Sequence, residues 1–239
     1  KNILNQNAKY TQELINDVEP DFIFSDKPIN RLIISNNSDA GIQSNQNKAE
    51  LISKLQEKIN SIENCKLKDS SNRIVMGEGD LNSPIMLVGE TPGELEDTSG
   101  LSFQGEIGIL LSKMLSAIQI DKKKVYSTYA INFKTPEERK PTRQEVKRYS
   151  AFLKEHISII NPKIVVLMGS TAMEAIIGFN SRISNERGKW KEIIFKDKML
   201  ELIVTFNPSY LIRFPENKKY SWEDLKKIKK KIQDLNIKL

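Results

Sequence analysis

The fold of this chain is decided by one stretch, Ile164-Val-Val-Leu-Met-Gly-Ser170. Its first five residues are all apolar, and a run of this kind predicts a strand that is buried on both faces. Gly169 and Ser170 then predict a turn and the N-cap of a helix that ends at Gly178. A buried strand that leads directly into a helix is typical of a βαβ unit with a parallel sheet.

The same alternation continues on both sides of this stretch. Short apolar runs predict three further strands, at residues 85–88, 125–131 and 200–206. Apolar residues at helical spacing predict helices over residues 49–62, 107–118, 142–160 and 221–235. We therefore expect an α/β protein with a largely parallel sheet that is covered by helices on both faces.

The N-terminal part of the chain has a different composition. Residues 35–48 are nearly all polar, which predicts a flexible linker. We therefore expect an N-terminal extension and polar linker over residues 1–48, and one α/β domain over residues 49–239.

Composition excludes several classes of protein. The 239 residues include one cysteine, Cys65, and one histidine, His156. These counts exclude a disulfide framework, a Cys/His zinc site and a mechanism that needs two histidines, and no metal site is predicted. No apolar run approaches the roughly 20 residues of a membrane span, so we expect no membrane contact and a cytoplasmic location. The net charge of +6 is compatible with a polyanionic partner.

The expected site lies beyond the carboxyl ends of the strands, where open parallel sheets bind their ligands. The first loop there reads Gly89-Glu-Thr-Pro-Gly93. Gly89 lets a ligand approach the backbone, and Glu90 is placed to position a water or to stabilise a cation. The alternative is an ordinary acidic loop, since three further acidic residues follow at Glu94, Glu96 and Asp97.

Two aromatic or apolar segments stand out in the other loops. Phe103 lies between glycines in a polar loop, which suits stacking on a flat ligand or, alternatively, anchoring of the loop to the core. Asn207 follows a predicted strand, and the apolar residues 210–212 then stand beside Arg213. An apolar wedge next to a cation suits duplex DNA, although these residues could equally fold back onto the core.

Taken together and in order, these stretches resemble the uracil-DNA glycosylase superfamily, most closely its family 4. The resemblance spans roughly residues 60–232. The matching segments are Gly89-Glu-Thr-Pro-Gly-Glu-Leu-Glu-Asp97, Gly100-Leu-Ser-Phe-Gln-Gly105, Val125-Tyr126, Lys140-Pro-Thr142, Pro162-Lys-Ile-Val-Val165, Gly169-Ser-Thr-Ala172, Arg187-Gly-Lys-Trp190, Asn207-Pro-Ser-Tyr-Leu-Ile-Arg213 and Trp222-Glu-Asp-Leu225.

The resemblance implies a three-layer α/β/α sandwich with a central four-stranded parallel sheet. It also implies a monomeric enzyme of base excision repair that hydrolyses the N-glycosidic bond of uracil, or of a related damaged base, in single- or double-stranded DNA. By motif position the catalytic residues are Glu90 and Asn207. The implied base-binding residues are Gly89, Thr91, Phe103 and Tyr129, and the implied DNA-binding residues are Pro92, Ser170, Pro208, Ser209, Tyr210, Leu211 and Arg213.

Three departures from the family pattern bear on function. Family 4 usually has a histidine where this chain has Asn207, so we expect slower turnover or a different leaving base. The family reads the uracil edge with an asparagine where this chain has Tyr129, and Asn132 is a possible substitute. The family commonly holds an iron–sulfur cluster with four cysteines, where this chain has Ile62, Cys65, Phe133 and Tyr149. We therefore expect no cofactor, with side-chain packing in place of the cluster.

Two other functions stay open at this point. The first is a non-catalytic relative that binds DNA or a lesion, which the changes at Tyr129 and Asn207 would favour. The second is a nucleotide-binding α/β protein of another class, although the strand-to-helix turns lack both a Walker loop and a Gly-x-Gly-x-x-Gly fingerprint.

Overall fold

The computed structural model describes residues 43–195 and 198–239. Most of the expected N-terminal extension, residues 1–42, lies outside these ranges. Within them, no helix is long and apolar enough to cross a membrane.

Within residues 43–195 and 198–239, six strands form a single mixed sheet. Their order across the sheet is β1-β3-β2-β4-β6-β5. The four central strands are parallel, and the edge strands β1 and β5 are antiparallel to their neighbours. The strands are β1 (Gly77–Gly79), β2 (Ile85–Gly89), β3 (Tyr126–Tyr129), β4 (Ile164–Met168), β5 (Trp190–Phe195) and β6 (Lys198–Thr205).

Nine α-helices accompany these strands in the part of the chain that the structure describes. They are α1 (Gln43–Asn60), α2 (Lys66–Asp69), α3 (Glu94–Ser99), α4 (Gly105–Ala117), α5 (Arg143–Ile160), α6 (Ser170–Ile177), α7 (Ile183–Glu186), α8 (Pro208–Arg213) and α9 (Lys218–Asp234). Short 3₁₀ turns occur at residues 122–124, 136–138 and 215–217.

The sheet separates two hydrophobic cores, because successive strand residues point to opposite faces. In β4, Val165 and Leu167 join the core beneath α1, α5 and α6, whereas Ile164, Val166 and Met168 join the core beneath α4 and α9. The α/β/α sandwich is therefore confirmed. The expected count of four strands is not confirmed, because the two edge strands extend the parallel centre to six.

The sequence did not predict β1, β5 or the start of α1, and each omission has a local cause. The strand β1 is only Gly77-Glu-Gly79 and carries no apolar alternation, and β5 includes two charged residues at its exposed edge. The helix α1 begins at Gln43, inside the predicted linker, and the Nζ of Lys48 donates to the carbonyls of Leu81 (3.0 Å) and Ile160 (2.9 Å). Polar residues thus form the first turns of a helix that the core anchors further along.

The register brings the strand tips to one level. Gly89 at the end of β2 pairs with Tyr129 at the end of β3, and Met168 at the end of β4 pairs with Thr205 at the end of β6. The residues that follow these tips therefore meet at one edge of the sheet, where parallel α/β sheets place their ligand sites.

Candidate active site

Glu90 is the centre of the polar groups at this edge. One carboxylate oxygen accepts hydrogen bonds from the backbone N–H of Thr171 (2.9 Å) and the hydroxyl of Ser170 (3.2 Å). The other accepts from the Nδ2 of Asn207 at 3.2 Å. We call these four residues the Glu90 cluster. Three donors fix the direction of the carboxylate, and the first turn of α6 stabilises its negative charge.

Gly169 makes this arrangement possible. It has a φ of +102°, and a Cβ on it would lie 2.4 Å from the Cδ of Glu90. A side chain at this position would therefore both strain the backbone and push the carboxylate away from the helix. The sequence predicts a turn at this glycine, whereas its close approach to Glu90 depends on the pairing of β2 with β4.

Asn207 is buried, and both ends of its amide are engaged. Its Nδ2 donates to Glu90, while its Oδ1 accepts from the backbone N–H of Ser209 (3.3 Å) and caps α8. Residues 207–215 were predicted to be a loop, but α8 occupies most of this segment. An N-cap asparagine followed by proline is a known helix start, so the sequence held this signal.

A cleft of about 750 Å³ opens beside the Glu90 cluster. Glu90, Ser170, Thr171 and Asn207 all line it. Nine further predicted or basic residues also line this cleft: Thr91, Pro92, Phe103, Tyr129, Arg139, Lys140, Ser209, Tyr210 and Arg213. Most of the predicted site residues are therefore brought together around one opening that is large enough for a nucleotide.

Aromatic side chains fill the side of this cleft where the resemblance predicts base binding. The rings of Phe103 and Tyr129 stack with centroids 4.7 Å apart and an interplanar angle of 28°, and only 1% and 3% of these residues is exposed. We call this pair the Phe103–Tyr129 stack. Gly89 is buried against it, since a Cβ there would lie 2.8 Å from both rings. No face of Phe103 is left open to a flat ligand in this conformation.

Polar contacts hold the stack in place. The hydroxyl of Tyr129 accepts a hydrogen bond from the backbone N–H of Phe103 at 3.0 Å. Burial and the nearby Glu96 carboxylate raise the pKa of this hydroxyl well above its ordinary value, so Tyr129 stays neutral. Phe103 has a φ of +52°, an uncommon value for a residue with a side chain. These contacts fix the Phe103–Tyr129 stack between the loop that carries Phe103 and the end of β3.

Asn132 does not take the place of the missing asparagine. It is buried, and its Nδ2 donates to the carbonyl of Val75 at 2.9 Å. It is not among the residues that line the cleft. The suggested substitution by Asn132 is therefore wrong, because this side chain ties the end of β3 to the neighbouring segment.

The acidic loop after β2 has a mainly structural role beyond Glu90. Glu96 is buried and accepts from the backbone N–H groups of Gly93 (3.0 Å) and Gln104 (2.8 Å). Asp97 is buried and accepts from the backbone N–H and the Nδ2 of Asn72. These two carboxylates hold the loop together, so Glu96 and Asp97 fit the structural alternative, whereas Glu90 lines the cleft with its three donors.

The predicted DNA-binding residues divide into two groups. Pro92, Ser170, Ser209, Tyr210 and Arg213 line the cleft. Pro208 and Leu211 are buried in α8, which packs against α4, and neither lines the cleft. Leu211 is only 1% exposed, so the prediction that it contacts DNA as part of a wedge is wrong for this conformation. Ser170 also differs, since its hydroxyl donates to Glu90.

The four positions of the family's iron–sulfur cysteines lie in a hydrophobic core. Cys65 is buried with its Sγ 3.4 Å from the hydroxyl of Tyr149, and the rings of Tyr149 and Phe133 meet edge to face at 6.3 Å. Ile62 packs against the same core. A cluster held by four thiolates does not fit these residues, because Cys65 is the single cysteine of the chain. Nor do His, Cys, Asp and Glu residues of the described ranges form a group of three or more that could hold a metal ion.

Known proteins match the same region of the chain. The family described as the uracil DNA glycosylase superfamily matches residues 76–229, which is more than half of the sequence. The chain belongs to this superfamily. The resemblance inferred from the motifs is thereby confirmed, and with it the assignment to a family of glycosylase enzymes.

Several relatives carry the name Type-4 uracil-DNA glycosylase. One from Thermotoga maritima is 34% identical over 183 residues, which cover 75% of this chain and 94% of the relative. One from Sulfurisphaera tokodaii is 35% identical over 186 residues, which cover 74% of this chain and 83% of the relative. One from Archaeoglobus fulgidus is 30% identical over 174 residues, covering 71% and 87%.

Proposed function

We propose that this protein is a DNA glycosylase that hydrolyses the N-glycosidic bond of uracil or of a related damaged base in DNA. The observation that carries the proposal is the Glu90 cluster. It places an oriented carboxylate in the wall of a cleft, at the tips of parallel strands. The superfamily membership and the names of the relatives support the same reaction class.

The chemistry follows from the charges that develop in the reaction. As the bond from C1′ of the sugar to the base nitrogen breaks, the sugar becomes cationic and the base leaves as an anion. The Glu90 carboxylate would stabilise the cation and orient a water toward C1′, and it would accept a proton from that water as the new C–O bond forms. The departing base would take its proton from solvent.

Asn207 would assist on the side of the leaving base. One hydrogen of its Nδ2 is donated to Glu90, and the second hydrogen is left to meet an oxygen of the base. A neutral amide stabilises a developing anion less than a well-placed imidazole does. Turnover should therefore be slower than in a glycosylase with histidine at this position.

Base release from a panel of oligonucleotides tests the proposal. Single- and double-stranded DNA would carry uracil, hypoxanthine, xanthine or hydroxymethyluracil, and the free base would be measured under single-turnover conditions. We expect release of at least one of these bases by the natural protein, and release that is roughly 1000-fold slower by Glu90→Gln. Release of no base from any substrate would contradict the proposal.

The Phe103–Tyr129 stack favours a second candidate, a non-catalytic protein that binds DNA or a lesion. With both rings facing each other, the expected place for a pyrimidine is filled. This candidate predicts salt-dependent DNA binding that Glu90→Gln leaves unchanged, together with an absence of base release. The same panel therefore separates the two functions.

A further inference from the structure

A second cleft adjoins the first. Its volume is about 560 Å³, and it shares Glu90, Ser170, Asn207 and Tyr210 with the cleft described above. The rest of its wall comes from α7, from the residues around β6 and from the start of α9. Arg187, Phe206 and Tyr220, which line only this cleft, are not predicted site residues and have no role in the proposed reaction.

Three of the residues that line the second cleft are aromatic: Phe206, Tyr210 and Tyr220. The rings of Phe206 and Tyr210 are 4.9 Å apart. Tyr220 completes the wall from α9 and is 43% exposed. Exposed rings along a cleft are the feature with which proteins stack the bases of single-stranded nucleic acids.

Cations accompany these rings. The guanidinium of Arg187 lies over the rings of Phe206 (5.4 Å) and Tyr220 (5.1 Å), and two hydrogen bonds to the buried Asp224 fix its position. The Nζ of Lys219 lies 5.0 Å from the centre of the Tyr220 ring, and Lys218 is exposed beside it. Arg187 and Lys219 both lie over Tyr220, so a base would stack on this ring in place of the exposed Lys219 side chain, while the fixed Arg187 complements a phosphate backbone.

The geometry favours unpaired DNA as the source of the base. A base within a duplex has both faces covered by its neighbours, so it has no face to offer to Tyr220. The apolar residue best placed in sequence to open a duplex, Leu211, is buried in α8. A single strand needs no such opening.

We propose that the second cleft is a nucleobase site, which receives the base next to the target nucleotide in single-stranded DNA. The inference rests on the proposed function for the identity of the target nucleotide. Ser170 and Tyr210 line both clefts, so the backbone that joins the two nucleotides passes between them. The second cleft thereby contributes to substrate binding without taking part in bond cleavage.

Binding of an undamaged single strand tests the inference, with fluorescence anisotropy as the readout. The test variant is Tyr220→Ala. The matched control is Trp222→Ala, since Trp222 is also on α9 and also 43% exposed but does not line the cleft. We expect Tyr220→Ala to weaken binding roughly tenfold, as loss of one stacked base does, and Trp222→Ala to change it less than twofold.

The salt dependence of binding identifies the type of contact that is lost. Loss of stacking lowers the affinity at every salt concentration by the same factor, whereas loss of a phosphate contact reduces the salt slope. Tyr220→Ala should therefore leave the slope unchanged. Tyr220→Leu, which keeps apolar volume without a flat ring, should show the same loss and provides the result if Tyr220→Ala does not fold.

Two results would overturn the inference. One is equal binding of the natural protein and both Tyr220 variants, and the other is an equal loss in Trp222→Ala. Neither measurement requires base release. If the expected binding pattern is found but no base is released, the nucleobase site is supported and the proposed enzymatic function is contradicted. If a base is released but the Tyr220 variants bind like the natural protein, the enzymatic function is supported and the nucleobase site is contradicted.

Discussion

The Glu90 cluster and the Phe103–Tyr129 stack lie on the same cleft, but they differ in what they leave open. In the Glu90 cluster, three donors converge on a carboxylate that still lines the cleft. In the Phe103–Tyr129 stack, two rings face each other and are almost fully buried. In the proposed function, the groups that would act on the sugar are thus separate from the groups that would select a base.

The largest expected effect comes from removing the charge at the Glu90 cluster. Glu90→Gln keeps the size of the side chain but cannot stabilise a cationic sugar or accept a proton from water. We expect the single-turnover rate of base release to fall roughly 1000-fold. The dissociation constant for DNA should change less than about twofold, and a similar loss in binding would show that Glu90 acts on affinity instead.

Displacing the carboxylate without removing it should have the next largest effect. A Cβ in Gly169→Ala would collide with the Glu90 side chain, and a displacement of about 1 Å can reduce a rate roughly 100-fold. Gly178→Ala is the matched control, because Gly178 has a φ of +100° at the other end of α6 and a Cβ there meets nothing within 4 Å. Equal losses of activity in both variants would point to backbone strain alone.

Removing the Tyr129 ring tests the role of the Phe103–Tyr129 stack. Tyr129→Asn removes a large buried ring, so we expect the free energy of unfolding to fall by roughly 3–5 kcal/mol in urea titrations. Because Phe103 would then have a free face, inhibition by free uracil should appear in the variant and be weak in the natural protein. Strong inhibition of the natural protein by uracil would mean that the stack opens readily.

A lower pH should destabilise the fold through His156, which is buried away from the cleft. Burial lowers the pKa of His156 to about 4, and its Nε2 lies 2.9 Å from the hydroxyl of Tyr126. In the unfolded chain the imidazole of His156 is protonated near pH 6.5. The free energy of unfolding therefore decreases by up to roughly 3 kcal/mol as the pH falls from about 6.5 to 4. Unfolding of His156→Gln should depend less on pH over this range. An unchanged pH dependence would exclude His156 as the cause.

The sequence predicted the centre of the fold because its signals there are local. Ile164–Met168 is apolar throughout, and the strand was predicted with its observed bounds. The helix over residues 143–160 has the Thr142 and Glu145 capping box at its start, and it lies within one residue of its predicted range. The edges were missed because β1 has no apolar residue and because Lys191 and Glu192 interrupt the apolar residues of β5, so both strands are defined by pairing with a neighbour.

The sequence predicted which residues belong to the candidate site but not the hydrogen bonds and packing contacts between them. Glu90, Asn207 and Ser170 were placed correctly at strand tips, yet their mutual hydrogen bonds depend on the register of β2, β4 and β6. Burial of Leu211 and the stacking of Tyr129 on Phe103 depend on packing between distant segments, which no short motif reveals. The pairing of Arg187 with Asp224 was missed for the same reason.

The most direct test of this account is a crystal structure of Glu90→Gln with a single-stranded oligonucleotide that carries the base released by the natural protein. The account predicts that C1′ of the target nucleotide lies within one bridging water of the side chain at position 90, with the Phe103–Tyr129 stack intact. A target base inserted between Phe103 and Tyr129, or a sugar bound away from position 90, would contradict it.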